Sequence, residues 1–108
     1  MITFEDFSKI DIRVGTITDA IDFEKAHKPA YQLTIDFGSL GIKKSSAQIT
    51  TRYKKEDLIG RQITAVVNFP TKQIANFMSA CLVLGAVDGK DVILLQPETK
   101  VSNGEKIA

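Results

Sequence analysis

The sequence predicts an all-β fold, a small closed barrel of five strands, and two observations lead to this prediction. Apolar and polar residues alternate along several short stretches, which is the period-two pattern of strands with one buried face. In the first stretch the apolar residues fall on even positions up to Val14 and on odd positions from Ile17 onward. A glycine at such a phase change, here Gly15, indicates a bulge in a long bent strand that pairs in both halves of a barrel.

The remaining elements follow in an order that specifies the topology. A cleanly alternating second strand covers 31–37, a polar third strand covers 43–49, and a short helix ends at Gly60, where a left-handed residue is favourable. A half-buried fourth strand runs over 63–69, and a fifth, over 81–87, has the pattern of a strand covered on both faces. This is the order of an OB-fold, a five-stranded Greek-key barrel with a helix between strands three and four. With 108 residues we expect a single domain over 1–108 with short extensions at both ends.

The loop between the fourth and fifth strands has a composition unlike a simple connector. Pro70 ends the fourth strand because it has no amide hydrogen to give a ladder, and Ile74, Phe77 and Met78 follow among polar side chains. Such a loop either packs into the core or offers an apolar surface to a partner. We therefore predict a peptide-binding pocket lined by some of Phe69, Ile74, Phe77 and Met78, with burial of all four as the alternative.

The two chain extensions predict a homodimer. Thr3 can cap a short helix in which Phe4 and Phe7 lie three residues apart on one side. The tail over 97–108 adds Val101 and Ile107. In a monomer we expect these apolar side chains to remain exposed to water. We predict that Phe4, Phe7, Val101 and Ile107 lie in the dimer interface.

Charge is distributed unevenly along a nearly neutral chain. Residues 43–72 carry seven basic and two acidic groups, a net charge of +5, and the rest of the chain sums to −4. Such a block can form a positive patch that suits nucleic acid, and the alternative is an ordinary solvated face. The groups predicted to contact phosphates are Lys43, Lys44, Arg52, Lys54 and Lys72.

The residues needed for catalysis are scarce. His27 is the only histidine, and Cys81 is the only cysteine, placed within an apolar run. Their spacing fits no metal motif, and the sequence contains no phosphate-binding glycine loop and no nucleophile elbow. We therefore expect no enzyme activity, no metal and no cofactor. The single thiol, the acidic N-terminus and the lack of an apolar run near ~18 residues predict a cytoplasmic protein without a membrane span.

Several separated motifs, in order and spacing, also resemble one family: FSKIDIRVGTITDA, AHKPAYQLTIDFG, SSAQIT, LIGRQITAVVNFP, IANF and LVLG. They resemble the tRNA-binding OB-fold domains that are appended to methionyl-tRNA synthetases and also occur as free-standing dimeric proteins. SSAQIT, AVVNFP and IANF look most like a branch of export-related chaperones that also bind tRNA. The resemblance implies a non-catalytic homodimer that binds unfolded or presecretory polypeptide in protein export, and tRNA. The alternative is a trans-acting tRNA-binding protein whose main ligand is tRNA.

The resemblance also implies which polar residues contact tRNA on the barrel face. They are Ser46, Gln48, Asn68, Lys72 and Ser79. This chain departs from the tRNA-binding relatives at Gln73, where they carry a second basic residue, and at Ala80 and Cys81, where they carry Gly-Met; these departures favour the chaperone branch. Because Lys72 is separated in sequence from Phe77, we expect the tRNA and peptide contacts to be separable by mutation.

Overall fold

The computed structural model describes residues 1–108, in which five antiparallel strands build a nearly closed barrel. The helices are α1 (Phe4–Ser8) and α2 (Lys55–Leu58), with one turn of 3-10 helix at Gly38–Leu40. The strands are β1 (Ile12–Asp22), β2 (Tyr31–Asp36), β3 (Ile42–Ala47), β4 (Gln62–Val66), β5 (Lys72–Ile74), β6 (Phe77–Ser79), β7 (Leu82–Val83), β8 (Gly85–Asp88) and β9 (Asp91–Leu94). The predicted OB-fold class is confirmed.

The long strand β1 organises the sheet, whose order is β3-β2-β1-β4-β7. Its first half pairs with β4 and its second half with β2, and Thr16 takes part in both ladders. The register shifts between Ile17 and Asp19. The bulge therefore lies at Thr18, and its predicted position at Gly15 is wrong.

Gly15 is needed for close packing instead. A Cβ at this position would lie 2.6 Å from Ile35 Cγ2 and 2.8 Å from Phe37 Cδ1. Real side chains do not approach so closely, so the core packs directly against the backbone of β1. The alternation predicted for β2 is confirmed, because Tyr31, Leu33, Ile35 and Phe37 are all buried.

The barrel closes where β3 meets the chain just before β7. Ala80 N donates to Lys44 O at 2.8 Å, and Ser45 Oγ donates to Cys81 O at 2.9 Å. Two tyrosines fix the opposite side: Tyr31 Oη donates to Tyr53 O, and Tyr53 Oη accepts from Leu94 N. These bonds satisfy buried polar groups at the seams of the barrel, where a strand ladder is incomplete.

Two strands differ from their predicted burial. All five residues of β4 are buried, because the C-terminal segment covers its outer face: the Gln62 side chain bonds both the N–H and the C=O of Val101. The fifth strand was expected to be covered on both faces, and this is wrong, because Leu82 and Val87 are exposed. The hairpin predicted at Asp88 and Gly89 is present as the turn between β8 and β9.

The C-terminal segment lies along the free edge of β1 like an added strand. Val14 exchanges hydrogen bonds with Gly104 and Glu105, and Ile107 N donates to Ile12 O at 2.9 Å. At the other end of the chain, the Thr3 and Asp6 side chains cap α1 reciprocally. Neither helix is long and apolar enough to cross a membrane.

Candidate functional site

The loop that the sequence marked as unusual is a β-hairpin. Across it Lys72 pairs with Ser79, Gln73 with Met78 and Ile74 with Phe77. Because successive side chains of a strand point to opposite faces, Lys72, Ile74, Phe77 and Ser79 share one face, and Gln73 and Met78 share the other. The hairpin thus has an inner face toward the barrel and an outer face toward solvent.

Phe77 anchors this hairpin to the barrel. It is only 7% exposed, and its ring lies 5.3 Å from that of Phe23, centroid to centroid, in a small cluster with Ala30. Ile74 packs against the same cluster. Phe77 is therefore a core residue, as the alternative interpretation held for it, and its predicted part in peptide binding stays a prediction.

A groove of about 490 Å³, hereafter the hairpin groove, lies between the hairpin and the barrel. It is lined by Ser46, Phe69, Pro70, Thr71, Lys72, Ile74, Ser79, Cys81 and Leu82. Its apolar walls include two half-exposed side chains, Phe69 at 55% and Leu82 at 49%. A concave site of this size, mostly apolar with a few polar groups, is typical of ligand-binding pockets.

Hydrogen bonds hold the polar wall of the groove in place. Ser46 N donates to Ser79 Oγ at 3.2 Å, which ties the hairpin to the edge of β3.

Cys81 also lines the groove, and burial raises the pKa of its thiol to about 11. The thiol is therefore protonated and uncharged near neutral pH, so it forms an apolar part of the groove lining.

The cations of the +5 segment divide into paired and unpaired groups. Arg52 forms a bidentate ion pair with Asp91, at 2.8 and 2.7 Å, which holds the pKa of that carboxyl below its usual range. Lys55 pairs with Asp22, and Arg61 lies over the Tyr53 ring. The lysines without an ion-pair partner are Lys43, Lys44, Lys54 and Lys72.

Lys72 is the unpaired lysine that lines the hairpin groove. Lys44 lies on the same face of β3 as Ser46, because Ser45 between them is fully buried and points inward. The groove therefore has one unpaired cation in its lining, and a second lies on the same strand face as Ser46 of its polar wall.

Asn68 has a structural role that its sequence context did not indicate. Its Oδ1 accepts from Asp11 N at 3.0 Å and its Nδ2 donates to Lys9 O at 2.7 Å. Both ends of its side-chain amide are therefore used to hold the chain between α1 and β1. Gln48, also predicted to contact tRNA, is exposed beyond the end of β3.

The structure brings together residues that the sequence assigned to two ligands. Ser46, Lys72 and Ser79, predicted for tRNA, line the same groove as Phe69 and Ile74, predicted for peptide. Lys72 shares a face of a three-residue strand with Ile74, a predicted peptide contact, so the two sets of residues adjoin, and whether mutation separates the two ligands stays a prediction. Met78 lies on the outer face and is 52% exposed.

Sequence reasoning missed four residues of the lining. Pro70 and Thr71 belong to the turn that leads into the hairpin, and Cys81 and Leu82 belong to a continuous apolar run. In such a run periodicity cannot tell an inward residue from an outward one. The run therefore carried no signal that could have found Cys81 or Leu82.

The residues predicted to form a dimer interface occupy two places. Phe4, 82% exposed, and Phe7, partly buried, lie with ring centroids 6.5 Å apart on α1, beside the exposed Ile2. Val101 and Ile107 are partly buried and line a second groove, of about 420 Å³, next to Val14. No cluster of three or more His, Cys, Asp or Glu residues that could hold a metal ion is present.

Comparison with known proteins gives the family. Residues 12–106 match the family described as "Putative tRNA binding domain". The chain belongs to this tRNA-binding domain family. It is 38% identical over 109 residues to the methionine-tRNA ligase of Nanoarchaeum equitans and 36% identical over 106 residues to that of Pyrococcus furiosus. The alignments cover 99% and 98% of this chain and only 14% of each ligase.

Solved structures of similar length are closer in sequence. The chaperone CsaA of Bacillus anthracis is 58% identical with a TM-score of 0.96, covering 100% of this chain and 99% of that one. The CsaA chaperone protein of Picrophilus torridus is 60% identical with a TM-score of 0.94, covering both chains completely. The resemblance to the chaperone branch of the family is confirmed by these two likenesses.

Proposed function

We propose that the protein is a non-catalytic, cytoplasmic, single-domain chaperone that binds unfolded or presecretory polypeptides in protein export. The observation that carries this proposal is the hairpin groove, walled by the half-exposed Phe69 and Leu82. Exposed aromatic and aliphatic side chains around a concave site mark an interaction surface. The likeness to two proteins named CsaA chaperones, over the whole chain, supports it.

The free energy gained by burying an apolar side chain in the groove limits the affinity for polypeptide. Burying one large apolar side chain contributes about 1.5 to 3 kcal/mol, which by itself is weaker than a millimolar dissociation constant, about 4 kcal/mol. Weak, sequence-tolerant capture of this kind suits a protein that must release many different chains. A dimer with two grooves gains avidity when one unfolded chain occupies both.

A second function, tRNA binding, has its own support. The family match over residues 12–106 favours it, and so do two lysines without an ion-pair partner: Lys72, which lines the groove, and Lys44, which shares a face of β3 with Ser46. Unpaired lysines release counterions when they meet phosphates, whereas Arg52 would first have to leave Asp91. If tRNA is the main ligand, the protein is a trans-acting tRNA-binding protein.

Binding measured side by side tests this function. The unlabelled protein is titrated into a fluorescent, urea-unfolded precursor protein, into the same precursor after folding, and into bulk tRNA. We expect binding to the unfolded precursor and to tRNA, and none to the folded precursor. Binding to tRNA alone would reject the chaperone function and leave the tRNA-binding alternative.

We predict that the chain is a homodimer through α1 and the C-terminal segment. Light scattering at micromolar concentration should give about 24 kDa, twice the 11.9 kDa of one chain. Phe4→Asp should give the mass of a monomer, because it places a charge where an exposed ring would be buried against the partner. Val87→Asp, at an apolar residue of similar exposure on the β8–β9 hairpin, is the matched control and should remain dimeric. A wild-type mass of one chain would contradict the prediction.

A further inference from the structure

We propose that RNA and unfolded polypeptide exclude each other at the hairpin groove, so that RNA binding releases bound polypeptide. The inference rests on the proposed function, because it requires that each ligand binds on its own. It adds a form of regulation: the concentration of free RNA sets how much polypeptide the protein holds.

The first step of the argument is the arrangement of the contacts. Lys72 and Ile74 project from the same face of β5, and Lys72 pairs across the hairpin with Ser79. The Ser79 hydroxyl accepts a hydrogen bond from Ser46 N. The cation, the hydroxyl groups and the apolar wall are thus parts of one small surface.

The second step is size. The groove, of about 490 Å³, falls in the size range of a pocket for one small ligand, so a base and a polypeptide side chain that enter it meet the same walls. Phe69, 55% exposed at its wall, offers a ring face to either occupant. A stacked base gains about 1 to 3 kcal/mol on such a ring, and an aliphatic side chain gains a comparable amount by burial.

The third step is charge. Lys72 lines the groove and has no ion-pair partner, so a phosphate that it neutralises lies at the groove. Arg52 and Lys55 are paired with Asp91 and Asp22, and of the four unpaired lysines of the +5 segment only Lys72 is in the groove lining. An RNA phosphate bound at Lys72 therefore occupies part of the surface that a polypeptide side chain needs.

A competition titration distinguishes exclusion from simultaneous binding. The probe is a short fluorescein-labelled peptide containing one Leu and one Phe, and its dissociation constant is measured by anisotropy at increasing concentrations of bulk tRNA. For exclusive binding, the apparent dissociation constant rises linearly without limit, by about tenfold when tRNA reaches about ten times its own dissociation constant. A plateau, or no change, means that both ligands bind together and overturns the inference.

Variants and single-ligand titrations separate the causes of failure. Lys72→Gln should shift the linear rise to higher tRNA concentrations, whereas Lys100→Gln, at an exposed lysine of the C-terminal segment, should leave it unchanged. Equal shifts in both variants would mean that general charge displaces the peptide, against the inference. If the peptide does not bind in the arm without tRNA, the proposed chaperone function fails; if both ligands bind alone and the rise reaches a plateau, only the exclusion fails.

Discussion

Phe77→Ala is expected to lower the free energy of unfolding by about 3 to 5 kcal/mol, the usual cost of removing a buried phenylalanine ring. The ring is 7% exposed and packs on Phe23, and the small cluster they form is what fixes the hairpin to the barrel. Since the whole stability of a domain is about 5 to 15 kcal/mol, this variant should fold with little reserve. Urea unfolding followed by circular dichroism measures the change.

Met78→Ala is the matched control, because Met78 is the next residue and faces the opposite side of the hairpin. Being 52% exposed, it should change stability by less than about 1 kcal/mol. If Phe77→Ala lowered the free energy of unfolding by no more than Met78→Ala does, the Phe77 ring would not be what holds the hairpin on the barrel. Peptide binding by Phe77→Ala, measured per folded molecule, should fall because the hairpin that carries Lys72 and Ile74 loses its support.

Binding of tRNA is expected to weaken by about 20- to 40-fold when salt rises from about 50 to 200 mM, if three lysines per site meet phosphates. The physical reason is counterion release, which makes log K fall with log salt by about 0.7 to 0.9 per phosphate neutralised. Four lysines of the +5 segment are available, because they have no ion-pair partner. Filter binding of bulk tRNA over this salt range measures the slope, and salt-independent binding would show that charge is not the principal term.

Single substitutions should weaken tRNA binding by different amounts at cations with and without an ion-pair partner. Lys44→Gln and Lys72→Gln should each weaken tRNA binding and reduce the salt slope by about one phosphate. Arg52→Gln should have the smaller effect, because this guanidinium is already bonded twice to Asp91. A larger effect from Arg52→Gln than from Lys72→Gln would place the RNA path near the β8–β9 hairpin and away from the groove.

The fold was predictable from sequence because its main signals are local. The alternation from Tyr31 to Phe37 specified a buried face, and the Asp88 and Gly89 pair specified a hairpin, and both are present. The bulge was misplaced because a glycine has two uses: Gly15 permits the close approach of Ile35 and Phe37, and the irregular pairing falls at Thr18. Sequence pattern alone does not separate these uses.

The candidate site was predictable only in part, because its geometry depends on contacts distant in sequence. Nothing near Phe77 indicates that Phe23 will cover it, and nothing near Arg52 indicates that Asp91 will neutralise it. The tRNA and peptide contacts were expected to be separable because Lys72 is separated in sequence from Phe77. The hairpin pairing instead places Lys72 and Ile74 on one face, and with them the residues assigned to two ligands.

Peptide binding by Phe69→Ala compared with Met78→Ala tests the central claim, that the hairpin groove is where polypeptide binds. The two side chains are large, apolar and about equally exposed, at 55% and 52%, but only Phe69 lines the groove. Anisotropy with the labelled peptide should show a loss of about tenfold or more for Phe69→Ala, typical of an aromatic contact at the centre of an interface. Met78→Ala should bind within about twofold of wild type, since a side chain outside the site contributes little. Equal losses in both variants, or no loss in Phe69→Ala with unchanged stability, would contradict the assignment of the groove.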